Sequence, residues 1–479
     1  MAIPSDQKEK TGLVRQLGLF DTTMIIIGIV IGSGIFLTTG LMARGIPSAS
    51  LILLAWLFGG LHALAGALAY GELGAAMPRA GGQYVYLREA YGPFCGFLFG
   101  WVSFTMYLTG IIAALGVGFA EYAGYFIPAF GMTNVFFETE IALPGWTFPY
   151  TLSAGHLTAL VLVLLLTVVN YRGVTFSKYI TNVSSVIKVA ALGLFILFGL
   201  WTGSTQPIDF RINTQGIDFG QLVVAFGVAL IAVSWAFAGW EEVTFVAGEV
   251  RQPGRNLPRA LVLGTATVTI VYLLVNYIYL KALPVGEMAG VVRVGEAAAN
   301  VLFGETGALL LSAAVIVSIV GALNATVLVG PRVYFAMARD GLFFRRAGSV
   351  HPRFRTPGPA VVFQAAWACV LTLSGTFEDL ITFVTFANLM LWIAGAAAVF
   401  TLRRKRPDLP RPYRAWGYPV VPLLFIAGSA GILFNMLFET PVESIAGLAL
   451  TALGIPAYLY LRHRTPASTA TESQGGVQQ

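Results

Sequence analysis

Twelve apolar stretches, each long enough to cross a lipid bilayer, constrain this chain more than any other feature. A spanning helix needs about 20 mostly apolar residues. Such stretches lie at 22–43, 48–76, 94–127, 153–170, 181–201, 219–247, 259–281, 307–337, 359–376, 379–402, 417–438 and 443–461. Only 11% of the residues are charged and 57% are apolar, against about 25% and roughly 45–50% in soluble domains. This balance excludes disordered, collagen-like, disulfide-scaffold and ordinary soluble-enzyme chains. Inside lipid each backbone polar group must be satisfied within the protein, which favours helices. The expected fold class is an all-α polytopic membrane protein with twelve spans.

The few charges are unevenly placed. With the N-terminus taken as cytoplasmic and retained, 24 of the 29 Lys and Arg fall in inner connectors and tails. Four fall outside (Arg44, Arg211, Lys281 and Arg293). The asymmetry follows the positive-inside rule and predicts cytoplasmic termini with an even span count. It also accounts for a sequence pI near 9.3, so no nucleic-acid partner is implied. One cation remains, Lys188, in the middle of the fifth span. Cys95 and Cys369 have no disulfide or metal-site spacing and read as small apolar residues. The tail from Thr465 is rich in Ser, Thr, Gln and Gly and reads as disordered.

Two spans are interrupted by small residues. Span 1 reads Ile-Ile-Ile-Gly-Ile-Val-Ile-Gly-Ser-Gly-Ile-Phe from Ile25 to Phe36, and span 6 reads Ser-Trp-Ala-Phe-Ala-Gly-Trp-Glu-Glu from Ser234 to Glu242. Five spans separate them, an odd number, so the second set of five inserts upside down. Paired interruptions in an inverted repeat point to a transporter binding site. The expected division is a cytoplasmic N-terminus at 1–20, a first repeat at 21–202, a second at 203–402, two added spans at 403–463 and a cytoplasmic tail at 464–479.

The strings Ile-Gly-Ser-Gly-Ile-Phe (31–36), Ala-Tyr-Gly-Glu-Leu-Gly (69–74), Gly-Gly-Gln-Tyr-Val-Tyr-Leu-Arg-Glu-Ala-Tyr-Gly (81–92), Phe-Ala-Gly-Trp (237–240) and Gly-Glu-Val-Arg-Gln-Pro-Gly-Arg-Asn-Leu-Pro (248–258) carry a resemblance. Together they resemble the amino acid–polyamine–organocation family over nearly the whole chain. The closest likeness is to its L-type amino acid transporter branch, including bacterial serine/threonine-exchanger-like members. The resemblance implies the LeuT-type five-plus-five fold with two additional helices and an amino acid substrate. It calls for no cofactor or metal.

The chemistry of the two breaks fits a zwitterion. At Ile31, Gly32, Ser33, Gly34 and Ile35, freed N–H groups at the start of a half-helix suit an α-carboxylate. At Ala236, Phe237, Ala238 and Gly239, freed carbonyls suit an α-ammonium. The competing reading is a glycine packing notch between helices. Lys188 at mid-bilayer is costly unless paired, hence a functional candidate; snorkelling is the alternative. In the L-type branch such a lysine replaces a bound sodium ion, here tying the span 1 break to span 8 with Ser318 as partner. Whether it also carries protons is left open. By resemblance Trp235 is an occluding gate, and Glu241 stands where proton-driven relatives keep a coupling glutamate. Glu241 and Glu242 also read as carboxylates fixing the unwound segment. Tyr107, Phe237, Phe386, Asn388 and Trp392 are candidate pocket walls, or core aromatics and polar core. Glu72 and His62 read as structural.

Animal L-type relatives carry a cysteine in the external loop between spans 3 and 4. The loop at 128–152 has none, so no disulfide-linked heavy subunit is expected. The resulting expectation is a cell-membrane transporter working by alternating access: sodium-independent, exchanging neutral L-amino acids and not an enzyme. The alternative is a proton-coupled symporter of amino acids, or of cationic amino acids and polyamines. A membrane-embedded enzyme lacks clustered catalytic groups, a nutrient sensor lacks its extra domain, and a channel lacks a continuous polar lining.

Overall fold

The structure, a computed structural model, describes residues 15, 17–143, 146–202, 207–212, 216 and 218–464. Most of the expected N-terminal segment at 1–20 and tail at 464–479 lies outside the described residues. Among them, ten helices are long and apolar enough to cross a membrane, and one bent pair makes an eleventh. Span 1 is that pair, Leu19–Val30 and Gly34–Gly45, bent by 41°. Then follow span 2 (Ala49–Ala76), span 3 (Pro93–Phe126), span 4 (Ala154–Arg172) and span 5 (Val174–Trp201). Span 6 runs Phe219–Phe237 and resumes as a tighter helix at Trp240–Glu249. Spans 7, 8, 10, 11 and 12 are Pro253–Ala282, Val294–Val329, Phe377–Lys405, Val420–Glu439 and Pro441–Arg464.

One expected span needs correction. Span 9 is only Gly358–Thr372, 15 residues, or about 22 Å at 1.5 Å per residue. It stops before 376 because the amides of Leu373 and Ser374 close short bonds onto Val370 and Leu371. The stretch 307–337 lies within one span, Val294–Arg339, which is kinked at Gly304 (φ 69°) and whose last part, Pro331–Arg339, is a separate helix opened by Pro331. Proline has no N–H to continue the ladder and suits the first turn of a new helix. The loop at 128–152 carries regular structure in its described residues. It contains an antiparallel hairpin, β1 (Val135–Leu143) and β2 (Trp146–Ser153), pairing Val135 with Ser153 at its base. Its β-branched and aromatic content favours strand.

Sequence chemistry explains several boundaries. Asp218 accepts from the Gln221 amide and starts span 6. Thr376 and Asp379 cap span 10 reciprocally. Span 7 packs against span 2 and the first half of span 1, span 8 against spans 3 and 5, and the first part of span 6 against the second half of span 1. Apolar side chains such as Leu61, Leu165, Leu197 and Leu424 stand exposed on the outer faces, as lipid contact requires. The bundle interior holds a satisfied polar network. Asn324 donates to the Ser177 carbonyl (2.9 Å) and to Thr181 Oγ1 (2.9 Å), while Asn170 donates to Asn324 Oδ1 (2.9 Å).

Candidate functional site

The breaks in spans 1 and 6 meet in the middle of the bundle. In span 1 the helix stops at Val30, Ile31 turns to φ −76° and ψ 82°, and a new helix starts at Gly34 after Ser33. In span 6 the helix stops at Phe237, Ala238 is extended, and Gly239 takes φ +97°. That left-handed backbone suits glycine, and a Cβ on Gly239 would lie 2.4 Å from Ile29 Cγ2. A Cβ on Gly34 would lie 2.6 Å from Ala236 Cα. The two broken backbones therefore touch, and the packing-notch reading of Gly34 is realised alongside the break.

A small cavity opens beside this contact. It is lined by Ile29, Val30, Gly32, Ser33, Gly34, Ile111, Leu115, Trp235 and Ala238 and has a volume of ≈ 20 Å³, enough for about one water. Ser33 is fully buried and its Oγ has no hydrogen-bond partner among the described residues. A buried hydroxyl is normally paired. Ser33 also precedes the first turn of a half-helix, where backbone donors and the dipole favour an anion. Trp235 forms one wall and stacks edge-on against Phe377 at the start of span 10, with centroids 6.2 Å apart.

Lys188 is 1% exposed. Its Nζ donates to the carbonyls of Gly28 (2.8 Å), Ile31 (2.7 Å) and Ser318 (3.1 Å). Ser318 Oγ donates to the same Ile31 carbonyl at 3.0 Å. The ammonium thus sits at the carbonyl end of the first half-helix of span 1 and ties it to span 8. Its three donors are spent on three acceptors, and a cation there is favoured by the dipole. A lysine so engaged does not snorkel.

Other candidates lie apart from the cavity. Tyr107 closes an irregular π turn at Ser103–Tyr107 in span 3, and its hydroxyl donates to Glu241 Oε1 at 2.7 Å. Glu242 Oε1 is 3.3 Å from the same hydroxyl. Trp392 Nε1 also donates to Glu241 Oε1, at 2.7 Å. Both glutamates are fully buried, and neither forms an ion pair among the described residues. Tyr107 and Trp392 are therefore bound to the carboxyl pair and do not line the cavity. Phe237 turns away onto Trp56 and Tyr272. Phe386 faces span 12, where a Cβ on Gly447 would lie 2.7 Å from its ring. Ile35 is buried outside the cavity wall, and Asn388 is buried with its Oδ1 unpartnered among the described residues.

One residue was missed by sequence reasoning. The Tyr272 hydroxyl of span 7 is 2.8 Å from the Val30 carbonyl and 3.0 Å from the Ala236 carbonyl. It bridges the two breaks and takes up an acceptor expected to be free for substrate. A tyrosine among apolar residues of a span carries no signal of such a role. The structural readings of Glu72 and His62 have direct contacts. Glu72 accepts from Arg403 (2.6 and 2.9 Å) and from the Ala415 amide (2.7 Å), and His62 Nε2 lies 3.0 Å from Ser429 Oγ.

A many-spanning helical bundle with two apposed broken helices and a buried serine hydroxyl at their junction defines a membrane carrier. The profile of the family described as Amino acid permease matches residues 17–456. The chain therefore belongs to the amino acid permease family, whose members are transporters and not enzymes. It is similar to the serine/threonine exchanger SteT of Bacillus subtilis (strain 168), with 34% identity covering 95% of this chain and 99% of that one. It is also similar to the human large neutral amino acids transporter small subunit 2, with 29% identity over 94% and 82% of the two chains. The human b(0,+)-type amino acid transporter 1 is 27% identical over 92% and 86%.

Proposed function

We propose that this permease exchanges neutral L-amino acids across the cytoplasmic membrane without sodium. The observation that carries the reading is the buried, unpartnered Ser33 hydroxyl at the start of the second half of span 1, facing a cavity shared with Trp235 and Ala238. In this reading the α-carboxylate binds the donors of Ser33, Gly34 and Ile35, with Gly32 giving it room. The α-ammonium binds carbonyls of the span 6 break, for which Phe237 and Ala238 are the better candidates because Ala236 is engaged by Tyr272. The apolar walls Ile111 and Leu115 suit a neutral side chain. The cavity is too small for an amino acid in this arrangement, so spans 1 and 6 part to admit one and Trp235 closes over it.

Lys188 supports the sodium-independent part. A fixed ammonium holding Ile31 and Ser318 leaves those oxygens unavailable to a metal ion. Exchange is supported by the similarity to SteT, named as an exchanger. The proposed division is two inverted repeats at 21–202 and 203–402 with additional spans at 403–463, and the arginine-rich face is proposed to be cytoplasmic. With no cysteine in the loop at 128–152, the carrier is proposed to work without a disulfide-linked subunit.

The buried pair Glu241 and Glu242 favours a second reading, proton-coupled uptake. Carboxyls without a cation beside them are suited to taking up and releasing a proton. Proteoliposome transport separates the two. Exchange requires an amino acid inside the vesicle and is indifferent to sodium and to a proton gradient. Accumulation in empty vesicles driven by a proton gradient supports the second reading and rejects the first.

A further inference from the structure

A second, much larger cavity lies away from the broken helices, on the arginine-rich face. Its volume is ≈ 620 Å³, and among the described residues its walls include Arg15, Arg79, Arg88, Arg339 and Arg355 but only one carboxylate, Asp340. The arginines come from separate parts of the chain. Arg15 precedes span 1, Arg79 follows span 2, Arg88 lies in the connecting helix Gln83–Tyr91, Arg339 ends the helix after span 8, and Arg355 precedes span 9. Asp340 is already taken: it accepts from Tyr84 Oη (2.7 Å) and pairs with Arg88. Arg15, Arg79, Arg339 and Arg355 form no ion pair among the described residues. All four are exposed, so solvent screens part of their mutual repulsion; an anion shared among the four guanidinium groups relieves what remains.

The chemistry selects the anion. Guanidinium forks match the oxygens of phosphate in planar, bidentate pairs. A volume of this size is in the range of pockets for small molecules or headgroups. Backbone next to the walls is tied to the end of span 6. Leu17 donates to the Glu249 carbonyl (3.0 Å) and accepts from the Arg251 amide (2.8 Å), while the Gly81 amide donates to the Phe245 carbonyl (3.1 Å).

We propose that this cavity binds a phosphate-bearing anion, which clamps the arginine-bearing ends around spans 1, 2, 8 and 9 in the arrangement described. The phosphate is carried either by an anionic lipid headgroup or by a soluble molecule. Binding itself is independent of what the carrier transports.

The test uses the purified full chain in nanodiscs of phosphatidylcholine, with and without phosphatidylglycerol. Thermal unfolding is followed while pyrophosphate is titrated at constant ionic strength. The variants are Arg79→Gln/Arg355→Gln and, as a charge-matched control, Arg255→Gln/Arg259→Gln, two exposed arginines outside the cavity. Saturable stabilisation by pyrophosphate in phosphatidylcholine assigns a soluble ligand. Stabilisation by phosphatidylglycerol alone assigns a lipid headgroup. In either case the cavity variant loses about tenfold or more in affinity and the control keeps it. If neither phosphate source stabilises the wild type, or if the control loses as much as the cavity variant, the proposal fails. The control also separates a specific site from general screening of a basic face. A cavity variant that misfolds is recognised by its elution profile, and Arg339→Gln then replaces it under the same two criteria.

Discussion

At the scale of single residues, Lys188 and Tyr272 do complementary work at the two breaks. Lys188 holds the carbonyl end of the first half of span 1, and Tyr272 joins the carbonyls of Val30 and Ala236. Lys188→Ala is expected to leave a folded, monodisperse protein whose exchange in proteoliposomes falls by about tenfold or more, because mid-membrane carbonyls lose their partner. Wild-type exchange in that variant returns Lys188 to a passive role. Tyr272→Phe is expected to lower stability by about 1–3 kcal/mol, the cost of leaving a buried acceptor unpaired, read as a lower thermal midpoint. The two residues were not equally legible. A lone cation among 23 residues of apolar helix (Tyr179–Trp201) announces itself, whereas a tyrosine is common in spans and its hydroxyl partners exist only after spans 1, 6 and 7 have packed.

At the scale of elements, the breaks followed from composition. Clustered small residues at 32–34 and 238–239 let two helices leave regular geometry. Gly34 is also where they touch. Gly34→Ala drives a methyl into Ala236 and is expected to cost about 1–3 kcal/mol, with loss of transport. Gly193→Ala in span 5 meets open space and is expected to be neutral or slightly stabilising. Equal thermal midpoints for the two alanine variants would contradict the close approach. The end of span 9, the separate helix at Pro331–Arg339 and the hairpin of β1 and β2 were less legible. Hydropathy marks where lipid is, and it does not mark where a helix ends within an apolar run. The carboxyl pair shows the same limit. Adjacent glutamates are visible in sequence, but their shared donor Tyr107 sits 134 residues away and is brought to them by the packing of span 3.

At the scale of the molecule, charge distribution and span count were readable early because they are properties of the whole chain. The cavity walled by five arginines gathers residues of several connectors on one face. Glu72 then fastens that face. It binds Arg403 and the Ala415 amide and lies 3.3 Å from Arg411. Glu72→Gln is expected to lower the thermal midpoint by loosening the connector between spans 10 and 11, since a buried partner keeps its charge without its counter-ion. An unchanged midpoint would show the cluster to be energetically idle.

The central claim is that the paired breaks recognise the two charged ends of an amino acid. Competition against a transported neutral amino acid tests it most directly, using its methyl ester and its des-amino analogue as competitors in the exchange assay. The account predicts that each analogue competes at least about a hundredfold more weakly than the parent, since a site built for a hydrogen-bonding group rejects the analogue lacking it. An ester or a des-amino acid that competes as well as the parent contradicts it.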